Sequence, residues 1–234
     1  MAMDFTVLPQ NLTRVREKIA SIQTREGLRD DVRVVAVTKG HSGAAVAAAH
    51  AAGLLDVGEN RVQEALGKQD SLGDLDLRWH LIGHLQTNKT KLVAGRFSLV
   101  HSIDSVRVAE ALQRSMERLG DGLDPIEVLV QVNLAQELQK TGCELSAVPE
   151  IACKVEELPR LRLRGLMTMA PYTDNEIEQR KVFAGLRELR DGLAAGGMDV
   201  PELSMGMSGD YESAVAEGAT ILRLGTVLFG ERPK

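Results

Sequence analysis

The sequence contains few aromatic residues and few cysteines. Its 234 residues include one Trp, two Tyr and four Phe, so aromatic side chains make up 3% of the chain. So sparse a set offers few platforms on which nucleic-acid bases could stack. The two cysteines, Cys143 and Cys153, lack the spacing of a metal site and do not form a disulfide framework. We therefore expect free thiols in a reducing compartment.

Excess positive charge and long apolar runs are also missing. The formal net charge is -5 at pH 7 and the sequence pI is about 5.6, whereas a general nucleic-acid binder gains its affinity from a basic surface. No run approaches the roughly 20 apolar residues that cross a bilayer. The first residues, MAMDFTVLPQ, include Asp4 and lack the apolar region of a signal peptide. We expect a cytoplasmic protein that binds neither nucleic acid nor membranes.

The chain alternates strand-like and helix-like segments. Apolar runs of strand length occupy 32–39, 54–60, 78–84, 98–104, 126–133, 161–169, 202–208 and 219–225, with helical periodicity between them. Near-continuously apolar strands indicate a parallel sheet with helices on its faces. Eight such repeats without a linker predict an α/β fold, a (β/α)8 TIM barrel forming a single domain over 1–234. Residues 1–30 are expected to form an extra N-terminal helix packed on the barrel.

Lys39 ends the first predicted strand. The stretch VVAVTKG (34–40) passes directly from apolar residues to a lysine and a glycine. Taken alone, this lysine is explained as an exposed strand end, because lysine is mostly an exposed residue. In a TIM barrel, however, the carboxyl ends of the strands carry the chemistry. A lysine desolvated there has a lowered pKa and can attack an aldehyde to form an imine.

Glycines and hydroxyls follow the last two predicted strands. The stretch SMGMSGDYESAVAEG places Ser204, Ser208 and Gly209 before a predicted short helix, and LGTVLFGE places Gly225 and Thr226 after the eighth strand. TIM barrels often bind phosphate with these two loops, because free backbone N–H groups face the anion there. An ordinary glycine-rich turn is the alternative for either loop alone. Together the two loops predict a phosphate site.

A strand-end lysine and a phosphate site predict a ligand that carries both a carbonyl and a phosphate. Pyridoxal 5′-phosphate (PLP) fits, and so does a sugar phosphate in aldolase-type chemistry. Arg223, inside the last strand in TILRLG, helps to discriminate because a buried guanidinium needs a partner. The pyridine nitrogen of PLP could accept its hydrogen bond, which would weaken the ring as an electron sink. A structural ion pair with a carboxylate such as Glu59 is the alternative.

Eight motifs resemble one family. They are VTKG around Lys39, GENRVQEALGK (58–68), WHLIGHLQTNK (79–89), VHSID (100–104), KTGC (140–143), RGLMTM (164–169), LSMGMSGDYESAV (203–215) and RLGTVLFGER (223–232). With them the chain resembles the YggS/PROSC family of pyridoxal-phosphate homeostasis proteins. The resemblance implies a fold-type III barrel, like the N-terminal domain of alanine racemase, that carries PLP as an internal aldimine.

The resemblance also implies the roles of individual residues. Lys39 is the Schiff-base lysine, Arg223 faces the pyridine nitrogen, and Asn60 lies beside the ring. His80 lines the other side of the ring. The implied phosphate cradle consists of Ser208, Gly209, Gly225 and Thr226, with Ser204 and Met205 nearby.

The family role is to store, buffer or deliver PLP in vitamin B6 homeostasis, without substantial catalytic turnover. We expect a monomer that contacts PLP-dependent apoenzymes transiently. The alternatives are a small amino-acid racemase, for which Tyr172 is the one credible second base, and a class I aldolase. Because the sequence ends at Lys234, soon after the last predicted strand, we expect no further β-domain of the kind that racemases have. We expect no catalytic residues.

The remaining polar residues are not expected to form a site. His80 and His84 lack the glutamate of an HExxH metal motif, so no metal is expected. The stretch from His101 to Asp104 holds triad residue types, but neighbours along a strand point to opposite faces. Lys89 and Lys91 could mark a second, transient cofactor site, and a solvated surface is favoured.

Overall fold

The computed structural model describes residues 5–135 and 141–231. Eight parallel strands form a closed barrel in chain order, and β1 pairs with β8 to close it. The predicted (β/α)8 barrel is therefore confirmed. The strands are β1 Arg33–Val37, β2 Asp56–Glu59, β3 Arg78–Leu81, β4 Leu99–Ile103, β5 Ile126–Gln131, β6 Leu161–Met167, β7 Glu202–Ser204 and β8 Ile221–Leu224. Lys140 of KTGC and Arg232 of the last motif lie outside the described residues.

Helices surround the barrel. They are α1 Leu8–Glu26, α2 Gly43–Ala51, α3 Val62–Ser71, α4 Thr90–Val93, α5 Val106–Glu117, α6 Val148–Glu156, α7 Glu176–Ala195, α8 Tyr211–Ala216 and α9 Thr226–Phe229, with 3-10 turns at Thr87–Lys89 and Leu145–Ala147. Local chemistry sets several ends. The Asn175 side chain accepts hydrogen bonds from the N–H groups of Ile177 and Glu178 at the start of α7. Gly27, at φ 71°, ends α1 in the left-handed conformation.

Helix α1 precedes the first strand and packs against α8 and α9. Its buried face follows helical spacing and consists of Leu8, Leu12, Val15, Ile19 and Ile22. Burial of such an aliphatic side chain contributes about 1.5–3 kcal/mol. This face therefore anchors the helix to the barrel. In the described part of the chain, no helix combines the length and apolar character that a membrane span needs.

The interior of the barrel is partly apolar and partly polar. A small cluster of Val35, Leu99, Leu129, Met167 and Ile221 is separate from the larger core between strands and helices. Alternate residues of a strand face opposite sides, so His101, two residues after Leu99, and Arg223, two after Ile221, share the inner face. Both are buried. The inner face therefore carries titratable groups as well as the apolar cluster.

The observed strands end earlier than the predicted ones. The predicted strand 202–208 stops at Ser204, and 78–84 stops at Leu81. Gly206 has φ 93°, a conformation that L-residues with a side chain rarely adopt. A Cβ at Gly206 would lie 2.6 Å from that of Ala214, so the chain turns closely over the start of α8. The residues after each strand thus form loops at the carboxyl end of the barrel.

Candidate functional site

Lys39 lies just after β1 and is half-buried. The peptide groups on both sides of it are held by side chains from α3. Lys68 Nζ donates to the carbonyl oxygen of Thr38 at 2.9 Å, and the N–H of Gly40 donates to Glu64 Oε1 at 2.6 Å. These two bonds fix the backbone from which the Lys39 side chain extends.

Lys68 is buried and forms three hydrogen bonds. Besides Thr38, it donates to Glu59 Oε1 at 2.6 Å and to Glu64 Oε1 at 2.9 Å. The hydroxyl of Thr38 also donates to Glu59 Oε1, at 2.6 Å. Burial raises the pKa of Glu59, although the bonds from Lys68 and Thr38 act in the opposite direction. We call Thr38, Glu59, Glu64 and Lys68 the lysine clamp.

The lysine clamp was not predicted as such from the sequence. The motif GENRVQEALGK contains Glu59, Glu64 and Lys68, and the four-residue spacing of Glu64 and Lys68 on a helix was the available signal. The suggested ion pair of Glu59 with Arg223 is wrong. Glu59 is directed toward α3, where it bonds Lys68.

The two loops predicted to bind phosphate meet at the barrel mouth. Ser208 Oγ, after β7, accepts hydrogen bonds from the backbone N–H groups of Gly225 and Val227, after β8, both at 3.2 Å. Gly209 and Thr226 are exposed beside this junction, and no atom lies within 4 Å of a Cβ built at Gly209. The junction thus places the hydroxyls of Ser208 and Thr226 beside the open space at Gly209, at the loops where such barrels often bind phosphate.

Arg223 is buried and lies on the inner face of β8. Its Nη1 donates to Ser204 Oγ at 2.8 Å and its Nη2 to the carbonyl oxygen of Thr168 at 2.9 Å. Burial lowers the pKa of Arg223 to about 10, while the charge of Asp210 acts in the opposite direction. The guanidinium is therefore still protonated at neutral pH. A guanidinium has five N–H donors, and these two bonds use two of them.

His80 and His101 are neighbours inside the barrel, with their ring planes tilted by 47° to each other. Their ring centroids are 5.2 Å apart, and His80 Nδ1 lies 2.9 Å from His101 Nε2. His80 Nε2 lies 2.9 Å from Asp56 Oδ1. Burial lowers the pKa of both rings, that of His101 well below its usual value. Both histidines are therefore neutral at pH 7, and the position of His80 beside a ligand ring stays a prediction.

Asn60 and Met205 are two further residues that the resemblance assigns to the site. Asn60 is half-buried directly after β2, and a Cβ at Gly83 would lie 2.1 Å from its carbonyl oxygen. The loops after β2 and β3 therefore touch at the mouth, which explains the glycine in WHLIGH. Met205 is fully buried in the larger core. Its side chain packs against apolar neighbours there.

The residues weighed for other chemistry are dispersed. Tyr172 is fully exposed, and Tyr211 is buried on α8. His84 Nδ1 lies 3.2 Å from Asp104 Oδ2, whereas His101 bonds His80 and Ser204, so the triad types of VHSID do not converge. Among the described residues, no group of three His, Cys, Asp or Glu could hold a metal ion.

Comparisons with known proteins identify the class. The family model described as alanine racemase, N-terminal domain, matches residues 10–233. The alanine racemase of Clostridium difficile shares the fold, with a TM-score of 0.72 at 17% identity over 95% of this chain and 58% of the racemase. The chain therefore belongs to the alanine racemase N-terminal domain class of fold-type III barrels.

Relatives of higher sequence identity identify the family within this class. The chain is 46% identical over 229 residues to the pyridoxal phosphate homeostasis protein of Pseudomonas aeruginosa, which covers 97% of this chain and 96% of the relative. It is 40% identical over 231 residues to the protein of the same name from Escherichia coli, covering 96% and 97%. The chain is a member of the pyridoxal phosphate homeostasis protein family, which confirms the resemblance carried by the motifs.

Solved structures of a similar protein have the same fold. The structure of PipY from Synechococcus elongatus without PLP has a TM-score of 0.84 at 38% identity, covering 95% of this chain and 100% of PipY. PipY with PLP bound has a TM-score of 0.77 at 40% identity, covering 92% and 99%.

Proposed function

We propose that this chain binds PLP at the carboxyl end of the barrel and stores, buffers or delivers it in vitamin B6 homeostasis. The observation that carries the proposal is the presence of three elements at or just inside the carboxyl end of one barrel. These are Lys39 on its clamped backbone, the junction formed by Ser208, and buried Arg223. Relatives named for PLP homeostasis and the PLP-bound PipY support the same ligand.

The residues present fit this cofactor. The cradle of Ser208, Gly209, Gly225 and Thr226 would hold the phosphate with hydroxyls and backbone N–H groups. Lys39 would supply the amine that links covalently to the carbonyl carbon. Arg223 would donate to the pyridine nitrogen, with Asn60 and His80 on either side of the ring and Ser204 and Met205 near the phosphate cradle. When bound, PLP supplies a reversible carbonyl for amines and a ring that can act as an electron sink.

We propose binding without substantial turnover. A donor such as Arg223 opposes protonation of the pyridine nitrogen and so weakens the electron sink. Full exposure of Tyr172 and burial of Tyr211 on α8 argue against a tyrosine base facing the cofactor. The proposal further includes a monomer in the cytoplasm that hands PLP to apoenzymes through transient contacts.

Borohydride reduction followed by peptide mapping tests the site. The purified protein loaded with PLP should be yellow, lose its visible band on reduction, and carry one pyridoxyl group, on Lys39. Lys39→Ala should lose the visible band, while the matched change Lys91→Ala at an exposed lysine should keep it. A pyridoxyl group on another lysine would overturn the assignment.

Optical rotation separates a carrier from a racemase. We expect the loaded protein to leave solutions of L-amino acids optically active over hours. Brisk racemisation that is lost in Tyr172→Phe would instead make the protein an enzyme.

A further inference from the structure

A continuous series of side-chain hydrogen bonds crosses the barrel interior. It runs from Arg223 Nη1 to Ser204 Oγ at 2.8 Å, and from there to His101 Nδ1 at 2.8 Å. It continues from His101 Nε2 to His80 Nδ1 at 2.9 Å and from His80 Nε2 to Asp56 Oδ1 at 2.9 Å. We call these five residues the interior relay.

The interior relay crosses the barrel from β2 to β8. Asp56 is the first residue of β2, Ser204 is the last residue of β7, and Arg223 lies within β8. All five members are buried, and four different strands besides β2 contribute one residue each. At the amino end, Arg78 Nη2 donates to Asp56 Oδ2 at 2.6 Å. A buried polar series with a partner at every step is costly to break.

Only one arrangement of protons satisfies every bond of the interior relay. Burial raises the pKa of Asp56, but the hydrogen bonds from His80 and Arg78 outweigh this effect and the pKa is lowered. Asp56 is therefore an ionised acceptor, so His80 must donate from Nε2. A neutral His80 then accepts at Nδ1 from His101 Nε2, and His101 accepts at Nδ1 from the Ser204 hydroxyl.

The same proton order also satisfies the bond between Ser204 and Arg223. The Ser204 oxygen, having donated its own proton, accepts from Arg223, which can only donate. All donors thus point from Arg223 toward Asp56, and each step polarises the next in the same direction. The carboxylate of Asp56 therefore makes the Ser204 oxygen a stronger acceptor for the guanidinium of Arg223.

We propose that the interior relay is a positioning device for Arg223, in which Asp56, His80 and His101 fix the guanidinium so that its remaining N–H groups face the ligand. The part concerning the ligand rests on the proposed binding of PLP. Asp56 and His101 act through the other members of the relay, whereas His80 is also proposed to lie beside the ring. The polarity of the relay is a property of the protein without any ligand.

The first test requires no PLP. Nitrogen-15 NMR of the ligand-free protein at pH 7, with the signals assigned by His→Gln variants, reports the tautomer of each histidine. We expect His80 and His101 both to be protonated at Nε2 and unprotonated at Nδ1. An Nδ1-protonated tautomer at either ring, or a charged ring, would refute the proton order.

Asp56→Asn should reverse the relay. Arg78 can only donate, so the amide oxygen of the new side chain must face Arg78 and its NH2 group must donate to His80 Nε2. His80 and His101 would then switch to the Nδ1-protonated tautomers, and the Ser204 oxygen would accept from both His101 and Arg223. The matched control is Glu202→Gln, because Glu202 pairs with Arg33 near the same end of the barrel but lies outside the relay.

The second readout is the bound cofactor. We expect Asp56→Asn to weaken PLP retention roughly threefold to tenfold and to shift its visible band, because Arg223 is held less firmly. Glu202→Gln should change neither. Retention and spectrum equal to the control would overturn the positioning role. If the wild-type protein does not retain PLP, the proposed function fails, while the tautomer measurement still decides whether the relay exists.

Discussion

At the scale of single residues, the buried charged side chains of the lysine clamp are held in place by the groups that they bond. Lys68 is 7% exposed and Glu59 fully buried, and each would be costly to bury alone. Their contacts explain why an ammonium group can lie behind the strand that presents Lys39. The backbone that carries Lys39, the lysine proposed to react, is thus held by a second lysine, Lys68.

Removing the ammonium group of the lysine clamp should therefore be severe. Lys68→Met leaves Glu59 buried without its charged partner, and we expect a loss of about 3–5 kcal/mol in the free energy of unfolding. Lys18→Met is the control, because its ion pair with Glu212 is about half exposed and its loss should cost less than about 1 kcal/mol. Urea unfolding measures both.

The double variant Lys68→Met with Glu59→Gln isolates the cause. It should regain part of the stability, because the uncompensated charge has been removed. Equal losses for Lys68→Met and Lys18→Met would mean that the lysine clamp contributes little.

At the scale of elements, the loops after the strands decide what the barrel can hold. The repeating pattern of apolar runs was sufficient to predict the closed barrel, because each strand is buried on both faces. Strand ends were predicted too late, since apolar residues beside a glycine, such as Ile82 before Gly83 and Met207 after Gly206, still match a strand pattern although the strand has already ended. Gly206 is the clearest case, because the residue type alone does not reveal that its φ is positive.

Gly206→Ala should test that turn. The new methyl group would meet Ala214 Cβ at 2.6 Å and Leu222 Cδ2 at 2.8 Å, on a backbone at φ 93°. Strain and overpacking together should cost about 2–4 kcal/mol in the free energy of unfolding. Gly209→Ala, where a Cβ meets open space, should stay within about 1 kcal/mol of wild type. Guanidinium unfolding midpoints that coincide for the two variants would contradict this account of the turn.

At the scale of the whole molecule, the polar residues of the barrel interior were the part that the sequence concealed. The positions of Lys39, Ser208 and Gly225 beyond strand ends could be predicted from chain order, while their part in binding stays a proposal. Asp56 and His101 could not be paired, because their connection through His80 joins three strands and depends on the register of the closed barrel. Alternation indicates which face a residue occupies, but not which residue of another strand lies opposite.

The buried histidines should make stability depend on pH near neutrality. Burial lowers the pKa of His80 and His101 in the folded protein below the usual value of about 6.5, so below that pH the unfolded chain binds protons that the folded protein does not. Stability is therefore fully present above pH 6.5 and falls as the pH decreases, with a slope of up to about 1.4 kcal/mol per pH unit for each histidine. Calorimetric unfolding of the ligand-free protein between pH 8 and 5 measures this slope.

Asp56, whose pKa is lowered from 3.8, loses its contribution to stability only at more acidic pH. His101→Gln should reduce the slope, whereas a wild-type profile that is flat between pH 7 and 5 would mean that the folded barrel takes up these protons as readily as the unfolded chain.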